Sequence, residues 1–342
     1  MPIQIGIDNA IKGGTGTGTG GGGTPPVFEG LLDTYTGAAA GYSVRRLATT
    51  TTTLMRVRRS GLISGVQNDD EADVAYDSNN VLGLDSLLSN ADAGVLSTTL
   101  GEFVGLGSNP DGLDSPADGY VVTWTDQSGN ANDATQATVL NQPQVITAGA
   151  IEIENGKPAI SFPGTATPSV QLPAPEFLGG ALRDPKRYIV SVMSEGATAG
   201  TSIRQPYDFM YAPVNPLYDN IVSLTIRGPV GSRKIIAKDF HYSDSPADVS
   251  SSADMTQSQN LVGHSYDLTI GARIHNAYLN GVLMTGTATG YGSGSYNSIS
   301  SEYSFVRNFL GTAQEIIYWN TDEAANRTGI ETDINTFFSV YP

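Results

Sequence analysis

Between residues 41 and 319 the chain is cut into short runs rich in Val, Ile, Tyr and Thr, each bounded by Gly, Pro, Asn or Asp, and long helical periodicity is absent. Such runs alternate buried and solvated faces as strands do. Residues 42–47, 54–58, 158–162, 187–193, 221–227, 234–240, 266–272, 277–280 and 315–319 read as strands. Their spacing predicts an all-β fold, an antiparallel sandwich or jelly roll. Asn280-Gly281 between two apolar runs supplies the positive φ angles of a type I′ hairpin. Short helices are expected at 82–90 and 98–104. A longer helix is expected over 321–341, capped by Thr321, with Ile330, Ile334, Phe337, Phe338 and Tyr341 on the face that covers the sandwich. No internal repeat is present, which disfavours propellers and solenoids.

Composition narrows the function classes. With 342 residues the chain can bury a large core, and it has no cysteine, so disulfides, thiolate nucleophiles and cysteine-ligated zinc are excluded. A net charge of −16 repels phosphate backbones and anionic lipid, so neither nucleic acid nor a membrane is an expected partner. Residues 1–13 lack a basic start followed by an apolar core, so no Sec-type signal peptide is expected. Residues 13–24, GGTGTGTGGGGT, have almost nothing to bury, and Pro25-Pro26 close them with a stiff step. Residues 1–26 are therefore set apart as an extended arm before a sandwich domain at 27–342. Two readings of the arm stand side by side: a flexible linker, and an assembly arm ordered against a neighbouring subunit.

The segment 119–136, GYVVTWTDQSGNANDATQ, joins a half-buried strand to a loop of turn-forming side chains. Asp126, Asn130, Asn132 and Asp133 could present oxygens to Ca²⁺ or to sugar hydroxyls, with Trp124 or Tyr120 as a stacking surface. The competing and favoured reading is a set of Asx turns in which these side chains bond their own backbone. Tyr207, Tyr211 and Tyr218, set among Pro206, Pro213 and Pro216, read as a loop of exposed aromatics suited to a glycan or a protein partner. Arg45, Arg46, Arg56, Arg58 and Arg59 read as a solvated strand face paired to the acidic run 68–73. His241, His264 and His275 lack the paired spacing of a metal site, and neither a Gly-x-Ser-x-Gly elbow nor a phosphate loop is present.

The succession LLDTYTGAAAGYSVRRL, LMRVRRSG and VVTWTDQSGNANDATQ, within residues 30–140, resembles the start of the α-L-arabinofuranosidase B catalytic-domain family. SYDLTIGAR, AYLNGVLM and AQEIIYWN followed by a closing helix are similar to the concanavalin A-like lectin/glucanase superfamily at large. The resemblance implies a lectin-like sandwich and, in the family's enzymes, retaining hydrolysis by a Glu nucleophile and an Asp acid. That pair does not carry over. The comparable region 188–211 lacks the family's paired cysteines and offers only Glu195 and Asp208, and the acid's Gly-Asp segment reads Ile270-Gly271-Ala272-Arg273. Combinations of this kind, with a similar Gly-rich start, also resemble bacteriophage virion proteins. The resulting expectation is a non-enzymatic virion protein, such as a capsid decoration, head fibre or tail fibre. It would sit at the virion surface, bound to other virion proteins through residues 1–26, as a homo-oligomer and by assumption a trimer. It would display a lectin-like domain for host-surface glycan. The alternatives are an arabinofuranosidase-like glycoside hydrolase and a free carbohydrate-binding module.

Overall fold

The computed structural model describes residues 28–163, 172–173, 186–196, 204–211, 220–227, 234–239, 247–250, 259–267, 274–284, 302–307 and 309–342. The proposed arm, and with it the boundary at residue 26, lies outside them. The architecture is the expected all-β antiparallel sandwich. One large sheet runs Val282–Leu283, Ile274–Leu279, Gln259–Asp267, Lys186–Glu195, Leu310–Trp319, Ile160–Pro163, Gln144–Thr147, Asp118–Trp124, Met55–Ile63, Glu71–Val74 and Leu88–Ser89. A second sheet runs Leu172–Pro173, Glu302–Arg307, Arg204–Tyr211, Asn220–Arg227, Lys234–Asp239 and Ala247–Ser250.

Leu310–Trp319 is the spine of the large sheet: it is buried from Ala313 to Trp319, and its backbone pairs along both edges. It pairs with Lys186–Glu195, with Ile160–Pro163 and with Ala38–Ser43, where Gly41 faces Ile317 and Tyr42 faces Ile316. Around it the core gathers Trp124, Trp319, Tyr42, Tyr188 and Phe162, all fully buried. The Tyr42 and Trp124 rings lie 5.9 Å apart and those of Tyr188 and Trp319 5.8 Å apart, both tilted, as aromatic quadrupoles prefer. At the sheet edge Asn280 and Gly281 take φ of 52° and 78°, as the Asn-Gly hairpin demands.

Several boundaries shift from expectation. The strand expected at 42–47 ends at Ser43, because Val44 turns away to exchange backbone hydrogen bonds with Gln314 and Leu82. Residues 82–90 form no helix. The Ser86 hydroxyl accepts from the Gly83 amide and closes a turn, after which Leu88–Ser89 pairs with Val74 and Asp73. The short helix Leu100–Phe103 does form, capped by Thr99, whose hydroxyl accepts from the Glu102 amide. Near 266–272 the strand lies earlier, at Gln259–Asp267.

The closing helix spans Arg327–Phe338, with Asn326 rather than Thr321 at its N-cap. Thr321 donates instead to Glu323 at 2.7 Å, within a turn that precedes the helix. Ile330, Ile334 and Phe338 are buried against the sheet, as the periodicity required. Glu331 is buried with them, accepting from the Tyr188 hydroxyl at 3.0 Å and from Arg327 at 2.6 Å. Burial raises the Glu331 pKa above its ordinary 4.5, with Arg327 and Tyr188 pulling the other way. The folded state therefore holds this proton more tightly than the unfolded chain does. The associated stability is fully present below about pH 4.5 and is lost as pH rises through the raised value. Glu331→Gln should reduce that loss. Urea unfolding at pH 4 and pH 7 checks it, and an unchanged pH dependence in the variant would contradict it.

Candidate functional site

The Asp118–Trp124 strand and the loop after it fix one wall of a polar cleft of about 450 Å³. The loop is built by Asp126. One carboxylate oxygen accepts from the amides of Gly41 (2.8 Å) and Ser128 (2.9 Å), the other from the Ser128 hydroxyl (2.8 Å) and the Asn132 amide (3.0 Å). Asp133 accepts from the Asp126 amide at 2.8 Å. The amide nitrogens of Asn130 and Asn132 reach back to the carbonyls of Ala38 and Ala39, and Tyr42 donates to the Asn132 carbonyl. Gln127 holds the Leu47 amide and the carbonyls of Ser43 and Arg45. The segment is thus a lock between the loop and the Ala38–Ser43 strand.

This geometry is the Asx-turn arrangement that the sequence favours for the loop. Both oxygens of Asp126 are filled by N–H and O–H donors, an arrangement that leaves no lone pair directed at a cation. Among the described residues no group of three or more His, Asp or Glu is arranged to hold a metal ion. Trp124 has 0% exposure and its indole N–H donates to the Ser43 carbonyl, so it is a core residue and not a stacking surface. Tyr120 is half-buried, with the Arg58 guanidinium 4.8 Å from its ring centre. Tyr207 and Tyr211 belong to the strand Arg204–Tyr211 rather than to a loop, and Tyr218 lies outside the described residues. Glu195 closes the strand Lys186–Glu195 of the large sheet whereas Asp208 lies in the second sheet, so the chain does not set these two side by side along one strand. His264 is fully buried, His275 sits in the strand Ile274–Leu279, and His241 is outside the described residues.

The arginines meet the acidic run as expected. Arg56 contacts Glu71 (2.7 Å) and Asp73 (2.9 Å), Arg58 contacts Asp69 (2.5 Å) and Arg59 contacts Asp70 (2.6 Å). The solvated face is not what forms, however. Arg59 is only 1% exposed, wedged over the Phe103 ring and bonded to Asp111, whose carboxylate it helps hold below the ordinary range. Arg45 turns inward to Glu315. Arg46 bonds the carbonyls of Ala48 and Thr49 and stacks on Tyr76.

The other wall of the cleft is the threonine run Thr50–Thr53, which the sequence marks only as a connection between strands. Thr123 and Thr125 add hydroxyls from the strand side, and Arg56, Asp73 and Asp133 add charge. Thr51 is 7% exposed, and its hydroxyl is a buried polar atom without a hydrogen-bond partner. Among the described residues no aromatic side chain lines the cleft.

No protein-family model matches the chain, and no curated protein does. Among solved structures the fold is similar to an arabinofuranosidase complexed with arabinofuranosyl-α-1,2-xylobiose, with TM-score 0.50 and 14% identity over 89% of this chain and 64% of that one. A GH54 α-L-arabinofuranosidase soaked with a cyclic sulfate inhibitor gives 0.48 and 13% over the same shares. A structure titled for the dependence of botulinum neurotoxin type C cell entry on two ganglioside molecules gives 0.42 and 13%, over 64% of this chain and 49% of that one. The chain spans less than two thirds of the length of each. The first of these likenesses supports the fold alone, an all-β sandwich.

Proposed function

We propose that this chain is a non-catalytic structural protein of a bacteriophage particle, held to other virion proteins by residues 1–26 and displaying its lectin-like sandwich for adhesion to host-surface glycan. The observation that supports the non-catalytic half is that Glu195 and Asp208, the two carboxylates of the region comparable to the family's, lie in different sheets. Asp126, whose carboxylate accepts three backbone amides and the Ser128 hydroxyl, is part of a structural lock. The adhesion half rests on the lectin-like fold together with an open polar cleft beside that lock. Assembly as a homo-oligomer, a trimer in this reading, would multiply weak contacts into useful avidity.

Deleting residues 1–26 should leave a domain that unfolds cooperatively at the wild-type temperature but no longer enters particles when co-expressed with the other virion proteins. Normal incorporation of the truncated chain would overturn the attachment role. Hydrolysis of an aryl arabinofuranoside by the purified protein would overturn the non-catalytic assignment.

A further inference from the structure

An asparagine followed by glycine loses its side-chain amide more readily than other asparagines, because glycine has no Cβ to keep its own amide nitrogen away from the asparagine side-chain carbonyl. The chain holds two such pairs, Asn155-Gly156 and Asn280-Gly281, each at the tip of a two-residue hairpin, with φ of 49° and 73° in the first and 52° and 78° in the second. Their surroundings differ. Asn155 and Gly156 are both exposed, and apart from its chain neighbours Gly156 has nothing within 4 Å of where a Cβ would stand. Their hairpin, Ile153–Glu154 paired with Lys157–Pro158, is a two-stranded sheet of its own, which is marginal and opens readily. Asn280 is half-buried at the edge of the large sheet. Its Oδ1 accepts from the Leu261 amide at 2.9 Å, its Nδ2 donates to Asn260 at 3.2 Å, and the Tyr341 hydroxyl stands 3.2 Å from the Cβ position of Gly281.

The amide of Asn155 also ties two elements together. Its Nδ2 donates to Gln259 Oε1 at 2.9 Å, to the Phe338 carbonyl at 3.0 Å and to the Ser339 carbonyl at 3.1 Å. Phe338 is the last residue of the closing helix and Ser339 is its C-cap. The carbonyls at a helix C-terminus lack partners within the helix, and the aligned peptide dipoles place partial negative charge there. An N–H donor suits that position. A carboxylate in its place has no hydrogen to give, and it adds a negative charge facing three acceptor oxygens.

We propose that Asn155-Gly156 is a site of spontaneous covalent conversion that unlatches the end of the closing helix. The Gly156 amide nitrogen bonds to Asn155 Cγ, the Cγ–Nδ2 bond breaks, and Nδ2 leaves as ammonia carrying the proton that Gly156 gives up. The product is a cyclic imide. Water then opens the ring, giving aspartate when it attacks Cγ and isoaspartate when it attacks the Asn155 backbone carbonyl carbon. Nothing is oxidised or reduced, and water is the co-reactant. Either product lacks the amide that held Gln259, Phe338 and Ser339.

The test ages the full chain at mildly alkaline pH, separates the more acidic species by anion exchange, and maps it by peptide mass spectrometry with an isoaspartate assay. The change should appear at Asn155 ahead of Asn280. In the acidic species the amides of the last turn of Arg327–Phe338 should exchange with solvent about tenfold faster than in the fresh chain, with those of Leu310–Trp319 unchanged. Asn155→Asp should show the same faster exchange without ageing. Asn155→Gln, which can close only a slower six-membered imide, should form no acidic species at this position. Conversion faster at Asn280 than at Asn155, or none at Asn155, overturns the site. Conversion at Asn155 that leaves helix exchange unchanged overturns the unlatching, and the aged wild-type chain gives that comparison even where Asn155→Asp does not fold.

Discussion

Asp126→Ala is expected to lower folding stability by about 3–5 kcal/mol, a loss in the range reserved for disrupted buried networks. The side chain is 7% exposed and receives four donors from three residues. Hydrogen bonds to a charged group contribute roughly 1.5–3 kcal/mol each in favourable cases, and a buried donor left without one costs about 1–3 kcal/mol. The Gly41 amide is the worst placed to find a substitute, since it lies inside the Ala38–Ser43 strand and Gly41 is buried. Asp126→Asn keeps one acceptor oxygen and turns the other position into a donor. Ser128 can answer that change by accepting through its hydroxyl, but one backbone amide cannot, so about half the loss is expected. Urea unfolding with an unchanged m value measures both. A loss below about 1 kcal/mol for Asp126→Ala would mean that the loop does not lock the strand.

That lock was half legible. The Asp/Asn/Gly composition of residues 126–133 announces side chains that bond nearby backbone, and the structure bears this out. What the composition hides is the partner, because Gly41 stands 85 residues away and no local pattern points to it. The placement of Trp124 was hidden for a different reason. Regular alternation puts Tyr120, Val122 and Trp124 on one face, which suggested that Trp124 could share an outer surface with Tyr120. The register against Met55–Ile63 is irregular: Met55 faces Trp124 and Arg56 faces Thr123, but Val57 faces Val121. Val122 is the extra residue of a bulge, and beyond it the side chains change face, so Val121 and Trp124 both enter the core. A bulge of this kind is set by the neighbouring strand and leaves no mark in the strand's own sequence. The cleft was hidden because its second wall, Thr50–Thr53, has the composition of an ordinary connection. Only the folded chain brings that run opposite the 126–133 loop.

The arginines carry the other large expected effect. Arg45→Ala should cost about 3–5 kcal/mol, the penalty for leaving one member of a buried ion pair without its counter-charge. Glu315 is fully buried on the spine strand, receiving Arg45 at 2.8 and 3.1 Å and the Ser43 hydroxyl at 2.7 Å. The guanidinium also reaches Asp333 on the closing helix at 2.8 Å and lies 4.9 Å from the Phe337 ring centre. Burial works against its charge, and the Glu315 and Asp333 carboxylates more than offset it, so its pKa is raised. Removing Arg45 strands the Glu315 charge and releases one tie on the helix Arg327–Phe338, whose amides should then exchange with solvent faster than those of the sheet. The double variant Arg45→Met, Glu315→Gln removes both charges while keeping most of the volume, and it should recover most of the lost stability. A double-mutant cycle on these two positions decides the matter. Strong coupling identifies a pair that is costly to break yet replaceable as a unit. Additive losses would mean that Arg45 acts through its packing on Phe337 and its contact with Asp333, and that Glu315 is held by Ser43 alone.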